Sequence, residues 1–251
     1  MTDLEELSDG LSDEQKRALD LAVRGQSFFL TGPGGTGKSE VVKRIKMYLD
    51  NSNKKYFITG TTGIAAVNIG GRTLHSVLRM NPDMDSMTLD EYQVWIHDQL
   101  ELGRIKSGSK RPDMSALKLS WTFCKTLKQL EFLIVDEVSM LSIEILQKMN
   151  CLLQNIRRST MPMGNLKCIF VGDFFQLPPV KKSQFLFESK VFWQTIKDVV
   201  ELTKSFRQED ASFVNLLNRF RKGRLTDEDI DTLKTCVNKD VSKNGVLPTI
   251  L

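Results

Sequence analysis

The sequence predicts an α/β fold, a central, mostly parallel sheet with helices on both faces. Short apolar runs recur along the chain without polar alternation, as strands buried on both faces do. Amphipathic segments with a period near 3.6 lie between them. Each apolar run ends where small or polar residues begin, which in such sheets is where ligands bind.

The runs place strands at Ser27 to Thr31, Lys55 to Thr59, Phe132 to Val135, Lys167 to Val171 and Val199 to Leu202. Helical stripes appear at Val41, Ile45, Tyr48 and Leu49, then at Ile145, Met149, Leu152 and Ile156, and again at Phe213, Leu216, Leu217 and Phe220. Each stripe reads as core, since a sheet needs covering. Thr226 and Asp229 have capping-box spacing and open a last helix around Ile230 to Val237. Residues 81–130 are less regular and read as an insertion, with an exposed loop at 106–112 rich in Gly, Ser, Lys and Arg. Residues 1–10 read as a tail and 11–237 as one domain. Residues 238–251 read as the start of a connection to a further domain.

With 251 residues, 41% hydrophobic and 26% charged, the chain has material for a large core. A net charge of +4 permits contact with a polyanion without indicating one. Cys124, Cys151, Cys168 and Cys236 form no paired spacing and fit free thiols in a reducing compartment. Two histidines argue against a zinc site. No apolar stretch approaches the ~20 residues of a membrane span, and the acidic N-terminus is unlike a targeting peptide. An intracellular, soluble chain is expected, with no membrane partner.

Gly32-Pro-Gly-Gly-Thr-Gly37-Lys38-Ser39 follows a strand and opens an amphipathic helix, the setting in which a phosphate-binding loop works. Gly34, Gly35, Thr36 and Gly37 offer backbone N–H groups to phosphate, and the helix N-terminus adds favourable partial charge. Lys38 reaches the β- and γ-phosphates, and the Ser39 hydroxyl binds Mg²⁺. Phe132-Leu-Ile-Val-Asp136-Glu137 places Asp136 at a strand end, where it can hold the metal's water shell. Glu137 stands beyond it as general base. ATP and Mg²⁺ are the cofactors implied.

The use made of ATP comes from resemblance. From about Leu11 to Leu233 the sequence resembles the Pif-type (petite integration frequency) DNA helicases, the 5′-to-3′ branch of helicase superfamily one. The most specific match runs from Asn155-Ile-Arg-Arg through Met163-Gly-Asn-Leu to Phe170-Val-Gly-Asp173-Phe-Phe-Gln176-Leu-Pro-Pro-Val180. It resembles the family's signature segment joined to its third helicase motif. The resemblance implies a RecA-like fold, with Gln176 sensing the γ-phosphate and Asp173 organising the metal side.

Thr59-Gly-Thr-Thr62-Gly63-Ile-Ala-Ala66 resembles motif Ia, which grips the backbone of single-stranded DNA, so Thr59, Thr62 and Gly63 are DNA-contact candidates. Thr73-Leu-His75-Ser76 resembles the adjoining motif and adds His75 and Ser76, with a capped or core histidine as the alternative. The Val77-Leu-Arg-Met that follows departs from the Trp and Gly usual there. Leu202-Thr-Lys-Ser-Phe206-Arg207-Gln208 resembles motif IV, with Arg207 as an arginine finger. Gln15 resembles an adenine-reading glutamine, while Ser12 and Gln15 also have capping-box spacing, and both readings stand.

The resemblance implies single-stranded, duplex or forked DNA as substrate and a second RecA-like domain in cis. This chain is then half a motor that binds nucleotide weakly, hydrolyses it slowly and does not unwind duplex. The rivals, a nucleotide-dependent binding module and a small-molecule phosphotransferase, are disfavoured by the presence of Glu137, Gln176 and Arg207.

Overall fold

Six parallel strands form one sheet in the computed structural model, which describes residues 4–80, 84, 86–105, 119–179, 184–208 and 210–237. The 106–112 loop and the 238–251 connection lie outside the described residues. Two units are present, one ending at Phe206 and one beginning at Arg207, where the sequence suggested a single domain over 11–237.

In the first unit the strands are β1 (Phe28–Thr31), β2 (Tyr56–Gly60), β3 (Arg72–Thr73), β4 (Phe132–Asp136), β5 (Lys167–Val171) and β6 (Asp198–Glu201). Their order across the sheet is β3-β2-β4-β5-β1-β6, and every pairing is parallel. The five strands expected from apolar runs are present within a residue or so at either end. The edge strand β3 has two residues and no apolar run to announce it.

Period-two alternation divides the strand residues between two cores. Phe29, Leu133, Val135, Cys168 and Phe170 face one side, packed with Tyr92 and Ile96 of α6 (Leu89–Ile105), Phe123 and Leu127 of α7 (Trp121–Gln129), and α8 (Ile143–Arg157). Phe28, Leu30, Ile58, Ile134, Ile169, Val171 and Val200 face the other, packed with α1 (Leu4–Ser8), α2 (Asp13–Val23) and α3 (Lys38–Asn51). The described part of 81–130 thus belongs to the main core. The expected tail contributes as well, for Leu7 on α1 is 2% exposed inside the second core.

The expected stripes on α3 and α8 are core, with Val41, Ile45 and Leu49 buried on α3 and all four α8 residues buried. Tyr48 is half-buried, and its hydroxyl donates to the Val23 carbonyl at 3.3 Å. Helix α4 (Gly63–Asn68) follows β2, α5 (Leu74–Leu78) follows β3, and α9 (Lys190–Thr195) precedes β6.

In the second unit α10 (Ala211–Arg221) and α11 (Asp227–Lys234) form a helical pair. The capping box is present, with Thr226 accepting from the Asp229 N–H and Asp229 from the Thr226 N–H. Arg219 grips both Asp229 oxygens, at 2.6 and 2.5 Å. The α10 stripe departs from expectation. Leu216 is buried, but Phe213, Leu217 and Phe220 are exposed, because two short helices cannot enclose more than one line of side chains.

Candidate functional site

Parallel strands place all their carboxyl ends on one edge of the sheet, and the order β2-β4-β5-β1 sets four motif-bearing loops side by side along it.

The loop after β1 turns into α3 at Gly37, which holds a left-handed conformation (φ 86°, ψ 22°), and no side chain caps this helix. A Cβ at Gly37 would stand 2.4 Å from the Gln15 amide nitrogen, so a side chain there would push the Gln15 amide aside as well as being strained at this φ. Thr36 is buried, its hydroxyl donating to the Pro33 carbonyl at 2.9 Å. Lys38 Nζ folds over the loop and donates to the Gly32 and Pro33 carbonyls at 2.6 and 3.1 Å. Gly34 and Ser39 are exposed, and Gly35 and Gly37 are half-buried. An anion arriving here meets the N-terminus of a 14-residue helix and an ammonium already held by the loop.

Gln15 makes the capping box of its helix, and its other end reaches the phosphate loop. Its Oε1 accepts from the Ser12 N–H at 2.9 Å, closing the capping box of α2. Its Nε2 donates to the Thr36 carbonyl at 3.2 Å, so the same side chain braces the phosphate loop. Beyond β6, the Phe206 N–H donates to the Gly35 carbonyl at 2.8 Å, and the half-exposed Phe206 ring stands beside Gly37. Reasoning from sequence passed over Phe206. Its place beside Arg207 in motif IV was the available signal.

Asp136 ends β4 at 9% exposure. Burial pushes its carboxyl up to about 6, with the Glu137 carboxylate adding to the rise, while the Glu137 N–H and the Lys38 ammonium work against it. A buried carboxylate raised in this way is stabilised by a nearby cation. With the Ser39 hydroxyl it makes a hard-oxygen donor set that suits Mg²⁺, an ion that brings water and phosphate oxygens as its remaining ligands. The residues present therefore fit the metal implied by the sequence.

Glu137 is half-buried in a left-handed conformation (φ 56°, ψ 45°), which is strained for a residue with a side chain. Two neighbours hold it there. Gly172 at the end of β5 passes so close that a Cβ would stand 2.9 Å from the Val138 nitrogen. On the other side the Thr61 hydroxyl donates to the Glu137 carbonyl at 2.9 Å, and the Thr61 N–H donates to the Asp136 carbonyl at 3.2 Å.

After β5 the side chain of Asp173 is buried, and its Oδ1 accepts from the Phe175 N–H at 3.1 Å. The Gln176 N–H donates to the Asp173 carbonyl at 2.9 Å, and the Gln176 residue is exposed. Phe174 anchors this turn against Phe29, Phe187 and Phe192. Arg207 opens the second unit and is exposed there.

The motif Ia candidates divide. Thr59 is fully buried and its hydroxyl donates to the Ile134 carbonyl at 2.9 Å, which removes its side chain from a DNA-facing role. Thr62 caps α4, accepting from the Ala65 N–H at 3.1 Å, and Gly63 is exposed at the first turn. Next to them on α4, Ile64 and Val67 are 77% and 78% exposed. His75 is half-buried, and the exposed Ser76 accepts from Arg72 at 2.9 Å.

A phosphate loop, a buried carboxylate at the next strand but one and a second carboxylate behind it define a P-loop nucleotide-binding domain. The AAA domain family profile matches residues 10–237, and the chain belongs to that family. Within it the chain resembles the Pif1 helicases. It is 36% identical over 245 residues to the zebrafish (Danio rerio) ATP-dependent DNA helicase PIF1 and 33% identical to the human one, with 96% of this chain aligned in each. Each alignment covers 34% of the relative, so the chain spans about a third of the length of these curated relatives.

Among solved structures, the Pif1 helicase from Candida albicans superposes with a TM-score of 0.77 at 32% identity, covering 95% of this chain and 50% of that one. The Bacteroides Pif1 helicase in complex with ADP-AlF3 and single-stranded DNA superposes at 0.71 and 30% identity, covering 93% and 51%. The RecA-like sheet expected from the resemblance is the fold observed. Among the described residues no helix is long and apolar enough to cross a membrane.

Proposed function

We propose that this chain is the ATP-hydrolysing first motor domain of a DNA helicase, coupling Mg²⁺-ATP hydrolysis to 5′-to-3′ movement along single-stranded DNA, with unwinding of duplex or forked DNA by a longer protein. The observation that carries this reading is the adjacency of β2 and β4. The motif Ia turn and the Asp136–Glu137 turn end neighbouring strands, with Gly60 in register with Asp136. The likeness to a Pif1 helicase bound to ADP-AlF3 and single-stranded DNA supports both ligands.

In this reading the loop N–H groups of residues 34–37 and Lys38 hold the phosphates, with Lys38 leaving the Gly32 and Pro33 carbonyls for phosphate oxygens. Ser39 and Asp136 would hold Mg²⁺, whose chemistry is to neutralise charge on the transferring phosphoryl group. Glu137 accepts a proton from the attacking water. Gln176 senses the γ-phosphate and Arg207 acts on it as a cation. Gln15 fixes the loop, and an adenine contact would use its second amide hydrogen, with the Phe206 ring as a stacking surface. Thr62, Gly63, His75 and Ser76 contact the DNA backbone. A second RecA-like domain in cis completes the cleft.

The test is nucleotide and DNA binding by the 251-residue chain and by Lys38→Ala. Fluorescent ATP-analogue binding that needs Lys38, together with anisotropy of labelled oligo-dT that does not, supports the reading. Oligo-dT binding at no accessible concentration, in low salt, overturns its DNA half.

A further inference from the structure

We infer that Thr61 is a positioning residue that relays occupancy of the motif Ia turn by DNA to Glu137. The inference rests on the DNA-coupled reading above and deepens it. Thr61 makes two hydrogen bonds to two consecutive residues of the hydrolytic turn. Its N–H continues the β2–β4 ladder one step past Gly60 and Asp136, reaching the Asp136 carbonyl at 3.2 Å. Its hydroxyl reaches the Glu137 carbonyl at 2.9 Å. On the other side, Thr61 is joined to Thr62, which caps α4, and to the exposed Gly63.

The turn it contacts is poised to respond. Glu137 is held at positive φ, a conformation that a side-chain-bearing residue keeps only while its surroundings impose it. Gly172 runs beside the same turn with no room for a Cβ between them, so the Glu137 backbone lies between that close approach and the Thr61 hydroxyl. The β4 side of the turn is rigid, since all five residues of the strand are buried. Displacement of the 61–63 turn by a phosphate is therefore passed to the Glu137 carbonyl and swings its carboxylate relative to the fixed Asp136. The remaining threonines do not serve this purpose. Thr59 is spent inside the sheet on Ile134, and Thr62 is spent on its own helix.

The experiment compares wild type with Thr61→Ser, Thr61→Val and Thr61→Ala. Three quantities are measured for each: oligo-dT affinity, ATP hydrolysis with and without oligo-dT, and deuterium exchange of the peptide spanning 137–141 on adding oligo-dT. The exchange readout requires DNA binding but no turnover. Thr61→Ser keeps the donor and is expected to keep the wild-type ratio of stimulated to unstimulated hydrolysis and the exchange response. Thr61→Val and Thr61→Ala are expected to bind oligo-dT within about twofold of wild type, while the ratio falls to near one and the exchange response disappears. Alanine keeps the comparison open if valine disturbs the fold.

A full ratio or a full exchange response in both hydroxyl-free variants overturns the relay. Loss of oligo-dT affinity in them also overturns it, since Thr61 is then a DNA contact. Failure of wild type itself to bind oligo-dT is a different outcome, which removes the DNA-coupled reading and the relay with it.

Discussion

Replacing Arg157 by alanine tests what the signature segment does physically. Arg157 closes α8 and spreads its guanidinium over carbonyls from two other places. Its Nε donates to Gly164 at 2.7 Å, and its Nη1 donates to Leu127 and Leu130 at 2.8 Å each. Leu127 and Leu130 lie at the C-terminal end of α7, where helix carbonyls lack intrahelical partners and a cation is favoured. Gly164 lies in a turn where Met163, Gly164 and Asn165 all have positive φ, so this turn depends on outside support.

Alanine removes all four contacts, a longer one to the Lys128 carbonyl at 3.3 Å included, and the three short ones at about 1 kcal/mol each give a loss of about 3 kcal/mol. For a domain of this size, that lowers Tm by roughly 6 to 12 °C. Lysine keeps the charge but carries no planar fork, and recovers less than half of the loss. Urea denaturation and calorimetry measure the difference. A Tm drop below roughly 2 °C for Arg157→Ala, against the expected scale, would refute the view that this arginine is a clasp for the α7–α8 framework.

Thr59→Val removes a buried hydroxyl bond and is expected to cost about 1 to 2 kcal/mol of stability, with oligo-dT affinity unchanged by fluorescence anisotropy. A large affinity loss would return Thr59 to the DNA surface. Asp136 gives a pH dependence. Between the ordinary value of 3.8 and about 6 the native chain keeps a proton that the unfolded chain has released, so stability falls as pH rises through that window. The penalty, complete above about pH 6, is on the order of 3 kcal/mol. Asp136→Asn, in buffer free of metal and nucleotide, is expected to be more stable than wild type at pH 7.5 and to lose that advantage near pH 4. Equal stability across the range in urea titrations would contradict it.

Much of the fold was legible because β1, β2, β4 and β5 are wholly or largely buried and read as apolar runs bounded by polar residues, while β6, buried only at Val200, still shows its Val199-Val200 pair. Strand β3 carries Arg72 and Thr73, borders β2 alone, and offers no pattern to find. The α10 stripe was legible as a helix but not as a surface, since periodicity reports which residues share a face and not what covers it. The phosphate loop, Asp136 and Glu137 stood out because each is a fixed residue type at a fixed place beyond a strand. Thr61 and Phe206 did not. Each reaches a backbone carbonyl, Thr61 through its hydroxyl at Glu137 and Phe206 through its N–H at Gly35, and which carbonyl lies within reach is set by how the loops pack and not by the residues' own motifs. The burial of the Thr59 side chain was not legible for the converse reason. A hydroxyl at a strand end suits DNA, but residue type does not say that this one is fully buried and donates to the Ile134 carbonyl of the neighbouring strand.

The central claim is that Glu137 is the base of a DNA-coupled ATPase. Its most direct test is single-turnover ATP hydrolysis by wild type and Glu137→Gln, with and without oligo-dT, alongside nucleotide binding. The account predicts slow hydrolysis by wild type that oligo-dT accelerates, and none in Glu137→Gln although it binds nucleotide as well as wild type. Hydrolysis by Glu137→Gln at the wild-type rate, with the same response to oligo-dT, would contradict it.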